Sequence, residues 1–174
     1  GTLELNWTPW EDVTLTSVTG YYHMWFQSQQ PLTSSFAHAG FASIVDPVRR
    51  RDITEEIRVN SDFAGPLNFT AGGFYQDGKL SNLNELPGNT AIGFPARVQR
   101  YQHFVNIESV SFFGQLRYKI LPTLEIAGGA RWTHEKRDIT SYNLITLSPV
   151  LYPDRTPKIS SKNTSPEATL TYKP

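Results

Sequence analysis

The chain has 174 residues, a length that suits one domain, and its 16 Lys and Arg balance 16 Asp and Glu to a formal net charge of zero. This balance argues against a nucleic-acid partner, because nucleic-acid binders show a basic surplus. The absence of cysteine excludes a disulfide scaffold, a thiolate metal site and a cysteine nucleophile. Aromatic residues at 13% beside charged residues at 18%, with a mean hydropathy of -0.38, indicate strands and turns.

Alternation of apolar and polar residues predicts strands in chain order, and helical periodicity is missing from every ten-residue stretch. Seven strands are predicted, over residues 3–8, 13–27, 52–61, 67–76, 104–120, 124–133 and 167–172. Irregular segments are predicted between them at 29–50, 77–102 and 144–163, where prolines interrupt the pattern.

The order of the connections is informative. Tight turns are centred near Trp10, Phe63 and Pro122, with a further one beginning at Pro174, and each pair is separated by a strand, a long segment and a strand. Short connections therefore fall at one end of the sheet and long ones at the other, which is typical of outer-membrane barrels.

Aromatic residues at both ends of the apolar band support the same interpretation. Trp7, Tyr118 and Tyr172 precede tight turns, whereas Tyr75 and Trp132 lie near the long segments. Rings in these positions match the two aromatic girdles of a membrane barrel.

Two alternatives remain open on the pattern alone. A soluble extracellular β-sandwich could bind carbohydrate through Trp and Tyr platforms, and a passive porin-like barrel would show the same alternation. The long strands favour a barrel, because strands in globular proteins usually have about 5 to 6 residues. A chain that folds alone in buffer would indicate the sandwich, and a plug domain separates a receptor from a porin.

Several strings resemble the barrel of TonB-dependent outer-membrane receptors, in family order. They are EEIRVNS at 55–61, GPLNFTAGGFY at 65–75, FFGQLRY at 112–118, LEIAGGARWTHEK at 124–136 and SPEATLTYKP at 165–174. The resemblance implies an all-β fold, an antiparallel transmembrane β-barrel of 22 strands in the bacterial cell outer membrane. Residues 1–174 would supply about seven of those strands, with short periplasmic turns and long extracellular loops.

The same resemblance implies function and partners. Such receptors contain an N-terminal plug domain, are energised through the TonB complex, and import ferric siderophores or similar scarce nutrients. The chain is therefore expected to be a fragment whose partners are outer-membrane lipid, the plug and remaining strands of the full-length protein, TonB and the ligand. No catalytic motif, phosphate-binding loop or histidine spacing suggests an enzyme or a cofactor.

Candidate ligand residues lie in or beside the predicted irregular segments. Arg49, Arg50 and Arg51 form the densest charge cluster, and guanidinium groups pair with the oxygens of an anionic iron chelate or with lipopolysaccharide phosphate. His38 and His103 are further ligand candidates. Polar strand residues expected to face the lumen and the plug are Glu56, Arg58, Gln115, Arg117, Glu125 and Arg131. The pairs Gly72-Gly73 and Gly128-Gly129 predict a bulge or a plug contact.

Overall fold

The computed structural model describes residues 1–31, 43–88, 90–93, 95–145, 148–149 and 158–173. These residues form one antiparallel sheet in which sequential strands are neighbours, except that β8 pairs with β6 beside a two-residue β7. The strands are β1 Thr2–Trp10, β2 Val13–Pro31, β3 Ser43–Ser61, β4 Leu67–Pro87, β5 Arg97–Leu121, β6 Leu124–Asn143, β7 Ser148–Pro149 and β8 Lys158–Tyr172, with a 3-10 turn at Thr90–Ile92. Within these ranges, no helix is long and apolar enough to cross a membrane.

The sheet has two chemically different faces, because successive side chains alternate and paired residues share a face. We call them the apolar face and the polar face. The apolar face holds most of the exposed large hydrophobic side chains, among them Leu5, Trp7, Ile57, Leu67, Phe112, Leu116, Tyr118, Ile126, Leu170 and Tyr172. The polar face holds the buried polar residues Thr16, Asp52, Asn68, Ser109, Ser111 and Ser141.

The sheet does not bury its hydrophobic residues. Val48 is the one buried hydrophobic residue in the described part of the chain, whereas Trp7 and Phe112 remain 65% and 60% exposed. In water, an apolar face of this extent would be unfavourable. The sheet therefore requires an apolar environment on one side.

The connections confirm the predicted asymmetry of the two ends. Residues 11–12, 62–66 and 122–123 join strands at what we call the short-turn end, where Asp62 N donates to Asp12 O at 2.8 Å. At the opposite end, which we call the long-loop end, β2 ends at Pro31 and β3 begins at Ser43, β4 ends at Pro87 and β5 begins at Arg97, and β6 ends at Asn143 and β8 begins at Lys158. Between the ends, the apolar stretch from Leu67 to Tyr75 has nine residues, which matches the roughly 9 to 11 residues of a transmembrane β-strand.

The predicted irregular segments are wrong in extent, because the strands continue well beyond the apolar band. β4 reaches Pro87 and β5 begins at Arg97, inside the segment expected to be a loop. Pro47 does not end β3 either, although the pairing of β3 with β4 is interrupted at Asp46 and Pro47 without a shift in register. Proline lacks the N–H that a ladder needs. A hydrogen bond from Asn84 Nδ2 to Asp46 Oδ1 at 2.7 Å spans this gap.

The paired glycines are not bulges, since the register runs without a break through both pairs. A Cβ on Gly72 would lie 2.5 Å from the Phe113 ring and 2.5 Å from the Ile57 carbonyl oxygen. The missing side chain thus makes room for a ring from the neighbouring strand, as aromatic residues do over strand glycines. Gly128 has nothing within 4 Å of the equivalent position.

One carboxylate interrupts the apolar face. Glu55 lies between Ile53 and Ile57 on this face, and its two oxygens accept hydrogen bonds from Ser17 Oγ at 2.7 Å and Thr19 Oγ1 at 2.5 Å. Hydroxyl donors on the neighbouring strand therefore satisfy an acidic group that faces the apolar side.

The close packing at Gly72 gives the first prediction. Gly72→Ala forces the Phe113 ring and the Ile57 backbone apart, so we expect the full-length protein to lose about 1–3 kcal/mol of stability. Denaturant unfolding in lipid vesicles measures the loss. Gly128→Ala is the matched control, and equal effects of the two substitutions would contradict the account.

The second prediction concerns Glu55 and its two hydroxyl partners, Ser17 and Thr19. Replacing Ser17 by Ala and Thr19 by Val removes both donors and leaves the carboxylate without partners, so the unfolding midpoint in vesicles should fall. Adding Glu55→Leu should then recover most of the loss, since a fully apolar replacement leaves no unsatisfied group. A triple variant less stable than the double variant would show that Glu55 has a stabilising partner elsewhere.

Candidate functional site

The lower part of the polar face, towards the short-turn end, is a hydrogen-bonded polar wall. The structure places all six predicted lumen residues on this face: Glu56, Arg58, Gln115, Arg117, Glu125 and Arg131. Thr70 Oγ1 donates to Asn60 Oδ1 at 2.9 Å, and Ser111 and Thr133 share a hydrogen bond of the same length. Contact of this wall with a plug stays a prediction.

Arginine side chains give the lower wall its charge. Arg58 Nη1 lies 3.6 Å from Glu56 Oε1, and Arg117 Nη2 donates to the Ser61 carbonyl at 3.3 Å. The Nε atoms of both arginines are buried and have no hydrogen-bond partner among the described residues. An unpaired buried donor is costly. The Arg58 side chain as a whole stays 39% exposed, so its guanidinium is still accessible from the polar face.

Arg131 is held by aromatic rings rather than by a carboxylate. Its guanidinium carbon lies 5.5 Å from the centroid of Phe74 and 5.6 Å from that of Phe113, within cation–π range. Beside it, Gln115 Nε2 donates to Glu167 Oε1 at 2.5 Å. Arg131, Phe113, Gln115 and Glu167 line a shallow recess of about 380 Å³.

Above the polar wall, the same face becomes apolar. This apolar belt comprises Tyr22, Met24, Phe26, Val48, Leu80, Val105, Ile107 and Ile139. In β5, for example, the apolar residues Val105 and Ile107 lie on the polar face, whereas Val110 and Phe112 lie on the apolar face. The apolar side chains thus change from one face of the sheet to the other along this strand. The belt was not predicted from the sequence, because Val48 and Leu80 lie in segments expected to be irregular and only one apolar face was assigned to each predicted strand. The reversal within β5 was the signal that could have found it.

A polar rim follows the belt at the long-loop end. Asn84 bridges two strands, because it donates to Asp46 and its Oδ1 accepts from Gln99 Nε2 at 2.7 Å. His103 Nδ1 lies 2.7 Å from Ser141 Oγ, and the Tyr101 ring is 6.3 Å from that of His103. The predicted ligand candidate His103 therefore belongs to a rim of side-chain hydrogen-bonding groups. His38 lies outside the described residues.

The arginine triplet is divided between the two faces. Arg50 lies on the polar face, where its Nε binds Asp52 Oδ2 at 2.7 Å and its charge is compensated. Arg49 and Arg51 lie on the opposite face, in register with Ser81 and Lys79. The three side chains therefore do not share one face of the sheet, and their contact with a ligand stays a prediction.

The predicted girdle residues all lie on the apolar face. Trp132 stacks on Phe112 with the ring centroids 6.2 Å apart, near the long-loop end of the apolar band. Trp7, Tyr118 and Tyr172 occupy the other end. In the described ranges, no group of three or more His, Asp or Glu is placed to hold a metal ion.

The sequence model of the family described as TonB dependent receptor-like, beta-barrel matches residues 1–174. The fold is similar to the crystal structure of the ferric yersiniabactin uptake receptor FyuA from Yersinia pestis, with a TM-score of 0.66 and 14% identity. The match covers 97% of this chain and 23% of that receptor. No curated protein matches the sequence.

The Arg131 cluster gives the third prediction. Removing the guanidinium with Arg131→Gln should reduce stability, and a double-mutant cycle with Phe74→Leu should give a coupling of about 0.5–1 kcal/mol in vesicle unfolding. Arg137→Gln is the control, because Arg137 pairs with Glu135 at 2.7 Å and should show no coupling to Phe74. Purely additive effects at Arg131 and Phe74 would rule out the interaction.

Proposed function

Because the chain belongs to the TonB-dependent receptor-like β-barrel family, we propose that it forms part of the barrel wall of a bacterial outer-membrane receptor that imports a ferric siderophore. The observation that carries the proposal is the two-faced sheet of a family member, apolar across one nine-residue band and polar opposite it. Outer-membrane lipid covers the apolar face, and the polar face lines the lumen. The fold of this chain is an all-β antiparallel barrel segment, so the closing strands come from the rest of the full-length protein.

The lower wall is the proposed contact surface for the plug. Its side chains are mostly paired within the sheet, which leaves a pre-ordered polar surface with little freedom to lose on docking. Arg58 and Arg117 are partly exposed and offer guanidinium donors to plug carbonyls or carboxylates. TonB then acts on the plug from the periplasmic side, at the short-turn end of this wall.

The apolar belt and the polar rim are the proposed ligand-facing surface. Both lie beyond the membrane band, where the lumen opens towards the long loops. Arg50 is paired with Asp52, so contacts with the ligand come from aromatic and apolar surface and from hydrogen-bonding side chains such as Tyr101 and His103. A ferric chelate with an organic framework presents both kinds of surface, and the similar FyuA structure is that of a ferric yersiniabactin uptake receptor.

The two alternative functions are a carbohydrate-binding β-sandwich and a passive porin, and the sheet fits them to different degrees. A carbohydrate-binding β-sandwich requires a second sheet packed on the apolar face, and the described strands form a single layer. A passive porin shares the barrel wall, so energy dependence is the property that separates it from a receptor.

The fourth prediction tests import directly. Deleting the gene in the source bacterium should abolish uptake of ⁵⁵Fe presented as the siderophores that the same strain secretes under iron starvation. Removing TonB should abolish it to the same extent, because import against a gradient requires energy. Uptake that needs this protein but persists without TonB would indicate the porin, and uptake that is independent of the gene would end the proposal.

Variants at the rim extend this test to the ligand surface. His103→Ala combined with Tyr101→Phe should weaken binding of the imported ⁵⁵Fe complex about tenfold, the equivalent of one or two lost hydrogen bonds. Lys119→Gln, at the short-turn end, is the control and should leave binding unchanged. Equal binding by the rim variant and the wild-type receptor would remove the rim from the ligand site.

A further inference from the structure

A group of cations lies on the apolar-face side of the sheet, beyond the apolar band. His23 is in register with Arg51, and Arg51 with Lys79, across three neighbouring strands, while Arg49 follows two residues along on the same face. We call these four residues the outer basic patch. They line a surface recess of about 450 Å³ together with Phe104 and Asn106.

The charges of the outer basic patch are not compensated within the described part of the chain. Arg49, Arg51 and Lys79 form no ion pair there, whereas ion pairs do form at Arg50, Arg58, Arg97, Arg100, Arg137 and Lys158. Asp77, the nearest acidic residue in sequence on this face, is in register with Ile53. Because like charges directly opposite each other on a sheet are destabilising, the arrangement favours an external anion.

The position of the patch identifies the anion. On this face, the pair Tyr21 and Ile53 is followed two residues further towards the long-loop end by His23 and Arg51. Trp25, in register with Arg49, comes one step beyond them. Two residues of β-strand span about 7 Å. The headgroup layer on each side of a bilayer is about 5–8 Å thick. The cations therefore lie at the level of the phosphates of outer-leaflet lipid.

We propose that the outer basic patch binds the phosphate groups of the phosphorylated glycolipid of the outer leaflet, the lipid A part of lipopolysaccharide. Guanidinium groups bind phosphate oxygens in a bidentate manner, and the two arginines are placed side by side on one strand. The flanking Trp25 and Phe104 provide apolar surface beside the headgroup. The inference rests on the proposed outer-membrane location and is independent of the transported ligand, from which Arg49 and Arg51 face away.

The fifth prediction is a binding measurement on the full-length receptor in detergent, with bisphosphorylated lipid A as the probe. Arg49→Gln with Arg51→Gln, which leaves Arg50 and its ion pair intact, should weaken binding roughly ten- to thirty-fold. Lys119→Gln with Lys173→Gln removes the same charge at the short-turn end and should leave binding unchanged. Equal affinity of the Arg49/Arg51 variant and the wild-type protein would overturn the proposal.

Measurements on the unaltered receptor test the chemistry independently of variant folding. Its affinity for bisphosphorylated lipid A should fall as NaCl is raised, and dephosphorylated lipid A should bind much more weakly. Affinity that is independent of salt or of the phosphates would overturn the proposal, as would full displacement of lipid A by millimolar inorganic phosphate, which indicates a general anion site. These assays involve neither TonB nor a siderophore, so their failure is distinguishable from failure of iron uptake.

Discussion

The structure depends on one constraint: a single sheet whose apolar face is not covered by any other element in the described part of the chain. Hydrogen bonds between neighbouring strands satisfy the backbone along the band, so hydrocarbon can cover this face without leaving polar backbone groups exposed. The usual hydrophobic core is absent, since Val48 is the one buried hydrophobic residue described. Lipid takes the place of that core, and every polar side chain of the band must either face the opposite side or, like Glu55, obtain local donors.

The polar face must accommodate many charged and polar groups close together. Ion pairs between residues two apart on one strand, such as Arg50 with Asp52 and Arg137 with Glu135, keep charges balanced at short range. The rings of Phe74 and Phe113 stabilise the charge of Arg131 by cation–π contacts. The outcome is a wall whose ordering is largely complete before a plug or a ligand arrives, and whose remaining unpaired donors are few and identifiable.

Much of this architecture could be predicted from the sequence, and the limits have physical reasons. Alternation located the band, the faces of Arg58, Arg117 and Arg131 and the girdle positions, because lipid and lumen impose opposite demands on neighbouring residues. It failed beyond the band, where hydrocarbon no longer covers one face and strict alternation is no longer required. The far ends of β4 and β5, beyond Gln76 and before Phe104, were therefore expected to be loops. The arginine triplet shows a related limit. Successive residues of a strand point to opposite faces, so three arginines that are adjacent in the sequence are divided between the two faces of the sheet.

The length of the nine-residue apolar stretch between the two girdles also sets the thickness of the membrane that the barrel fits. At about 3.4 Å per residue and a strand tilt of about 40°, eight steps from Leu67 to Tyr75 correspond to a hydrophobic thickness of about 21 Å along the bilayer normal. That is well below the roughly 30 Å of an average bilayer. A thicker membrane would have to thin around the barrel or cover the charges that begin beyond Tyr75. The spacing of its apolar residues thus suits a thin membrane. The mismatch between the apolar band and a thicker bilayer would disfavour insertion of the barrel into other membranes.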